Sequence, residues 1–308
     1  MSKIAFMFPG QGSFEPGMGA EIAAAIPEAM AVYDEGSKAS GLDLRALCFS
    51  GSAEELMQTE VQQPTLVATS LAILAAVRKE GIEPDIVVGH SVGEFAALAS
   101  VRAMSDGEAI GLVRERGLAM AEAARQRPGA MAAILGLEDQ LVETLCRKIL
   151  GVWPANYNCP GQIVVSGEND AVEECCAEAE SLGARRAIRL KVSGAFHSPL
   201  VGQAGRALKP AIDRIRFSDP VAPFMSTVTA KIEPAQRLGS LLVDQLTAPV
   251  RFTQAAGELM RGGVTTFVEI GPGSVLSGLV KRIDRGVRTF SVNDLASLEK
   301  VKEALSAP

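Results

Sequence analysis

Gly89-His90-Ser91-Val92-Gly93 has the spacing of a nucleophile elbow, in which two glycines permit a sharp strand-to-helix turn that lifts a serine hydroxyl out of a sheet. The five-residue pattern alone is weak, but its setting strengthens it. Asp85 to Val88 reads as a short β-branched strand and Glu94 to Ser100 as helix. Ser91 then opens a helix, where backbone N–H groups and the dipole favour a developing anion. Such a serine needs a base, and the chain has only two histidines. His90 adjoins the nucleophile and points away from its hydroxyl in a tight elbow, which leaves His197. That residue follows a predicted strand, with Ser198 placed to cap a helix and Pro199 to begin it. No acid stands where it would complete a triad, so a backbone or amide carbonyl is expected to orient the imidazole. The competing reading makes Ser91 a turn residue and His197 a buried structural histidine.

Two further features bear on the same chemistry. Gly10-Gln11-Gly12-Ser13 directly follows the first predicted strand. The next glycine, Gly17, comes too late for a dinucleotide loop and no Lys completes a phosphate loop. Such a loop either presents an N–H to an oxyanion, with Val92 as the second donor, or is only a tight turn. Losing one such donor typically costs about 3–4 kcal/mol of transition-state stabilisation. Arg116 is the other feature. In the predicted helix Glu108 to Ala124 it shares the apolar stripe of Ala109, Leu112, Val113, Met120 and Ala124, while Arg114 and Glu115 face away. An inward guanidinium must pair with an internal carboxylate or await an anionic ligand.

The elements that must position these residues alternate between helix and short apolar strand, beginning with the strand Ile4 to Phe8, and this favours an α/β fold. Residues 128–194 read differently. Strands at Ala130 to Leu135, Val152 to Asn158, Gln162 to Gly167 and Ala184 to Val192 interleave with helices at Glu138 to Ile149 and Asn169 to Leu182. That β-α-β-β-α-β order predicts a ferredoxin-like subdomain inserted into a larger unit built from 1–127 and 195–308. Pro64 to Lys79 reads as an apolar helix.

Composition bounds the function. With 308 residues, 47% of them hydrophobic, the chain can bury a substantial core, which excludes intrinsic disorder. A formal net charge of −6 argues against bulk nucleic-acid binding. The run Ser2 to Phe8 is too short for a signal peptide, and nowhere do about 18 apolar residues run together to span a membrane. Five cysteines without Cys-x-x-Cys spacing read as reduced thiols, so a cytoplasmic setting is expected. Two histidines make a His-rich metal site implausible, and no metal is expected.

Taken jointly, Gly10-Gln11-Gly12-Ser13, Gly89 to Glu94, Arg116-Gly117, Asn158-Cys159-Pro160-Gly161-Gln162, Gly194-Ala195-Phe196-His197-Ser198, Gln245 to Val250 and Glu269-Ile270-Gly271-Pro272-Gly273 carry a family likeness. Their order and spacing resemble the malonyl-CoA:acyl carrier protein transacylases of fatty-acid synthesis and the acyltransferase domains of polyketide synthases, over nearly the whole chain. The resemblance implies an α/β-hydrolase-like body with a ferredoxin-like insertion. It implies that Ser91 attacks the thioester of malonyl-CoA with His197 as base, and that the N–H groups of Gln11 and Val92 form the oxyanion hole. Gln245 matches the position whose backbone carbonyl orients the histidine, and Arg116 the one that holds the malonyl carboxylate. The acyl group then passes to the phosphopantetheine thiol of acyl carrier protein by a ping-pong route.

Phe196 resembles the malonyl-selective pattern, since relatives accepting methylmalonyl tend to be smaller there. One methyl yields only about 1–3 kcal/mol of discrimination. Met120 and Asn158 match pocket-lining positions, with core packing and loop capping as their structural alternatives. Phe14 departs from the more usual Gln, which bears only on neighbouring loop contacts. The family implies a monomer with no resident cofactor, the CoA thioester being substrate. Acyl carrier proteins are acidic, so two basic clusters are candidate docking surfaces: Arg185, Arg186, Arg189 and Lys191; and Lys281, Arg282, Arg285 and Arg288. Two other function classes compete: a serine hydrolase acting on acyl thioesters or esters, which needs no inward Arg116, and a non-catalytic carrier-binding module that retains the fold.

Overall fold

The computed structural model describes residues 3–306; Met1, Ser2, Ala307 and Pro308, at the ends of the expected body, lie outside the described residues. A six-stranded sheet holds the body together. Its strands are β1 (Lys3–Phe8), β2 (Ile86–Gly89), β7 (Phe224–Ser226), β8 (Lys231–Ile232), β9 (Val264–Ile270) and β10 (Arg288–Val292), in the order β10-β9-β1-β2-β7-β8. All pair in parallel except β8. Ala5, Phe6, Met7 and Phe8 are all buried, as expected of a central parallel strand covered on both faces. The register pairs Phe8 with Gly89, Met7 with Glu269 and Val88 with Met225, so the loops after β1, β2, β7 and β9 emerge together at one sheet edge. Ligands of α/β sheets gather at that carboxyl edge.

Between β2 and β7 the chain inserts a second sheet of β3 (Ala130–Leu135), β4 (Val152–Cys159), β5 (Gln162–Gly167) and β6 (Arg186–Arg189), antiparallel in the order β4-β5-β3-β6. With two helices, Asp139–Lys148 and Asn169–Ser181, it is the ferredoxin-like arrangement. Alternation along β3 divides its side chains. Ala130, Ala132 and Ile134 join the core under those helices, while Met131 and Ala133 pack toward the body. The whole chain is therefore an α/β-hydrolase-like body carrying a ferredoxin-like insertion.

Two local differences from the sequence reading have clear causes. The last strand of the insertion is shorter than Ala184 to Val192. β6 is an edge strand with Ile188 exposed, and Leu190 and Val192 leave it to line a cavity instead. The chain must turn there, because Gly194 approaches the helix Asp106–Gln126 so closely that a Cβ would stand 2.5 Å from the Cβ of Ala124. The apolar helix begins at Thr59 rather than Pro64. Pro64 has no N–H for the carbonyl of Glu60, one turn earlier, but Arg114 donates to that oxygen (2.7 Å). The proline is thereby tolerated inside the helix.

Candidate active site

Close packing explains the glycines of the elbow. A Cβ on Gly89 would lie 2.2 Å from the amide nitrogen of Glu94, and one on Gly93 2.1 Å from the carbonyl oxygen of Phe8. Between them Ser91 adopts φ 52°, and His197 independently adopts φ 58°. Left-handed backbone costs a non-glycine residue about 1–2 kcal/mol, so the surrounding packing must impose it at both positions. The two strained residues meet: Ser91 Oγ and His197 Nε2 are 2.8 Å apart.

The tautomer follows from what lies behind the ring. Nδ1 faces two carbonyl oxygens, those of Gln245 (2.9 Å) and Ala248 (3.1 Å), so it must carry the proton. Nε2 is then the acceptor, and the Ser91 hydroxyl donates to it. Burial pushes the imidazole down to about 3, helped by the positive charges of Arg116 and His90 and opposed by the two carbonyl bonds. This has a kinetic consequence. An ordinary imidazole near 6.5 would lose about 30-fold of its neutral form between pH 8 and pH 5. Acylation of the enzyme, followed as kcat/KM by stopped flow, is expected to show no such loss. The same group lowers stability as pH falls from about 6.5 toward 3, because only the unfolded chain takes up the proton there.

Arg116 is fully buried on the helix Asp106–Gln126, whose start is fixed by a capping box between Ser105 and Glu108. Its Nη1 donates to Gln63 Oε1 (2.7 Å), and its Nη2 to Gln245 Oε1 (3.0 Å) and to Ser91 Oγ (3.1 Å). No carboxylate touches it among the described residues, and its Nε–H has no partner there. Burial holds its pKa down at about 9, against the favourable charge of Glu94. Gly117 lets this helix press against the other, since a Cβ there would meet the Cα of Glu60 at 2.7 Å. That approach brings Gln63 within reach.

A cavity of about 170 Å³ opens onto Ser91 and His197, with Gln11, Phe196 and Asn158 in its wall. The loop after β1 lies directly on the elbow, for a Cβ on Gly10 would come within 2.7 Å of the His90 carbonyl oxygen. Among the described residues neither the Gln11 nor the Val92 amide donates to a protein acceptor. His90 points away from Ser91, its Nε2 meeting Asn158 Oδ1 at 3.0 Å, so Asn158 fixes a histidine rather than capping a loop. Met120 and Arg116 both lie behind the cavity's wall rather than in it; Met120 packs in the core, where Gln63 Nε2 donates to its Sδ (3.4 Å). It supports the amide that holds Arg116.

Several participants escaped the sequence reading. Gln245 was expected to contribute a backbone carbonyl, yet its side chain also bridges Arg116 to Ser91 and Glu94. Gln63 lies outside the motifs, and Glu94 and Ala248 stand inside motifs of the family likeness without a role of their own. The visible signal was polar residues inside apolar helices: every residue of Gly93–Ser100 is buried, Glu94 included. Of the basic clusters, Arg189 is engaged with Glu173 and Asn169, and Arg288 with the carbonyl of Ala304. Arg282 donates to Gln162 in the cavity wall, and Lys191 lies between Leu190 and Val192, also of that wall. A larger open groove of about 850 Å³, between the helices Gly202–Ile212 and Ala235–Asp244, contains none of these residues. Among the described residues no helix is long and apolar enough to cross a membrane.

A hydroxyl shared between a neutral imidazole and a buried guanidinium, beside two uncommitted amides, is equipped to exchange acyl groups of anionic donors. The sequence pattern of the acyl transferase domain family matches residues 5–303. The malonyl CoA-acyl carrier protein transacylase of Bacillus subtilis is 43% identical over 310 residues, 99% of this chain and 98% of that one. The chain belongs to the malonyl CoA-acyl carrier protein transacylase family. A transacylase crystal structure from Streptococcus pneumoniae superimposes with a TM-score of 0.94 at 38% identity, covering 98% of this chain and all of that one. A malonyl-transacylase solved in complex with a type II polyketide synthase acyl-carrier protein superimposes at 0.95 with 39% identity, over 98% of this chain and all of that one. Full-length matches on both sides mean that the insertion and the body belong together in this transacylase family.

Proposed function

We propose that this transacylase moves malonyl groups from malonyl-CoA to the phosphopantetheine thiol of acyl carrier protein, through an ester on Ser91. The observation that carries the reading is the double engagement of Ser91 Oγ, which donates to His197 and accepts from Arg116. Ser91 Oγ attacks the thioester carbonyl while His197 Nε2 takes its proton. The N–H groups of Gln11 and Val92 face the developing oxyanion, and the carbonyls of Gln245 and Ala248 steady the imidazolium. Collapse breaks the carbon–sulfur bond, and the CoA sulfur leaves with the proton held on His197. The malonyl carboxylate then rests against Arg116, whose unpartnered Nε–H supports the assignment. A carrier-protein thiol gives its proton to His197, attacks the ester and leaves as malonyl thioester, restoring the Ser91 hydroxyl.

Phe196, buried in the cavity wall, stands where an α-branch on the acyl group would need room. Lys191 and Arg282 beside the same wall support docking of an acidic carrier at the cavity mouth. In this reading the protein acts as a cytoplasmic monomer on a CoA thioester, without nucleic acid, membrane or resident cofactor. The test is a competition. Malonyl-CoA supplied with saturating pantetheine is expected to yield malonyl-pantetheine faster than free malonate. Malonate as the main product despite saturating thiol would make the protein a hydrolase.

A further inference from the structure

Glu94 is a carboxylate with no exposure to solvent, three residues beyond the nucleophile and without a part in the steps above. Its bonding is complete. Oε1 accepts from the Thr227 amide (2.6 Å), the Thr227 hydroxyl (2.9 Å) and the Ser226 hydroxyl (3.3 Å), and Oε2 accepts from Gln245 Nε2. Gln245 Nε2 donates also to the carbonyl of Ser91 (2.9 Å), while Gln245 Oε1 accepts from Arg116 Nη2. A primary amide has two ends of nearly equal size and opposite hydrogen-bonding sense. Which end meets Arg116 is therefore decided by what meets the other.

We propose that Glu94 is a positioning residue for acyl selection: its carboxylate, accepting only, joins the Ser91 carbonyl in locking the Gln245 amide with oxygen toward Arg116 and so holds the guanidinium where an acyl carboxylate must dock. The inference rests on the proposed malonyl-transfer reading and extends it to a residue that touches neither substrate nor reacting atoms. Replacing Glu94 with glutamine keeps the shape but not the sense. The Thr227 amide demands the oxygen of the new side chain, so its NH₂ faces the NH₂ of Gln245. Relief by rotating Gln245 sets an NH₂ against the guanidinium, and Arg116 loses an acceptor. The backbone carbonyl that holds His197 is untouched, so chemistry on an uncharged acyl group should suffer less.

The experiment compares malonyl-CoA and acetyl-CoA as donors to pantetheine, for wild type, Glu94→Gln, Gln245→Met and the double variant, with thermal melts alongside. Glu94→Gln is expected to lower kcat/KM for malonyl-CoA about tenfold or more, as for a lost hydrogen bond to a charged group, and to lower that for acetyl-CoA much less. The malonyl-to-acetyl ratio should fall similarly in Gln245→Met, and the double variant should fall no further than the worse single one. Equal loss on both donors, or fully additive losses, would overturn the proposal. Should Glu94→Gln fail to fold, Thr227→Val loosens the same carboxylate without removing it. A reduced ratio there supports the inference and an unchanged one overturns it. Wild type that transfers no malonyl group would instead overturn the functional reading beneath it, and the inference with it.

Discussion

With Ser91 replaced by alanine, malonyl-CoA should leave no covalent acyl group on the protein, and transfer to thiol should fall about 10⁵-fold or more. The size follows from the arrangement. Among the described residues no other hydroxyl or thiol is bonded to His197 Nε2, so no neighbour there is placed to substitute as nucleophile. What remains is binding and the proposed oxyanion donors, which by themselves retain only a small part of the acceleration. Intact-protein mass spectrometry after brief exposure to malonyl-CoA provides the check: a malonyl increment on wild type, mapping to the Ser91 peptide, and none on the variant. An increment of equal size on Ser91→Ala would place the acyl group elsewhere and dismiss the mechanism. The melting temperature should hold or rise, because alanine keeps the elbow while easing the desolvation of a hydroxyl.

Arg116→Ala should separate two properties that the wild-type site combines. Malonyl transfer is expected to drop about 10²- to 10³-fold, the range for removing one member of a buried charge pair. Acetyl transfer should persist or increase, since an acetyl group presents no carboxylate and Ser91 loses a competing donor at 3.1 Å. The donor panel, read as kcat/KM for each thioester, decides. Equal loss on both donors would mean that the guanidinium only braces the elbow. Some destabilisation should accompany the change, because Gln63 and Gln245 lose their shared partner inside the core.

The parts of the site legible in the sequence were those fixed by local constraint. Gly89 and Gly93 are dictated by backbone atoms only a few residues or one strand away, so the elbow could be read from five letters and a flanking strand. His197 could be found by elimination, and Arg116 by the period of a single helix. Gln63, Glu94 and Ala248 depend on contacts across more than fifty residues, and nothing in their own segments says which partner they meet. Glu94 resembles an ordinary acid in the first turn of a helix, where its charge would suit the dipole in any case. The overlong last strand has a different origin. Alternating Ile188, Leu190 and Val192 satisfy a two-residue period, but the latter two face the cavity rather than a sheet core.

The carbonyls that grip His197 belong to a segment ending at Val250, and Val250 is itself sewn into the inserted sheet. Its amide donates to the carbonyl of Ala155 (2.8 Å), and its carbonyl accepts from Tyr157 (2.8 Å). The base is thus anchored through a seam joining both halves of the molecule. Shifting one half against the other would therefore pull on the segment whose carbonyls hold the ring that serves as base in the proposed mechanism.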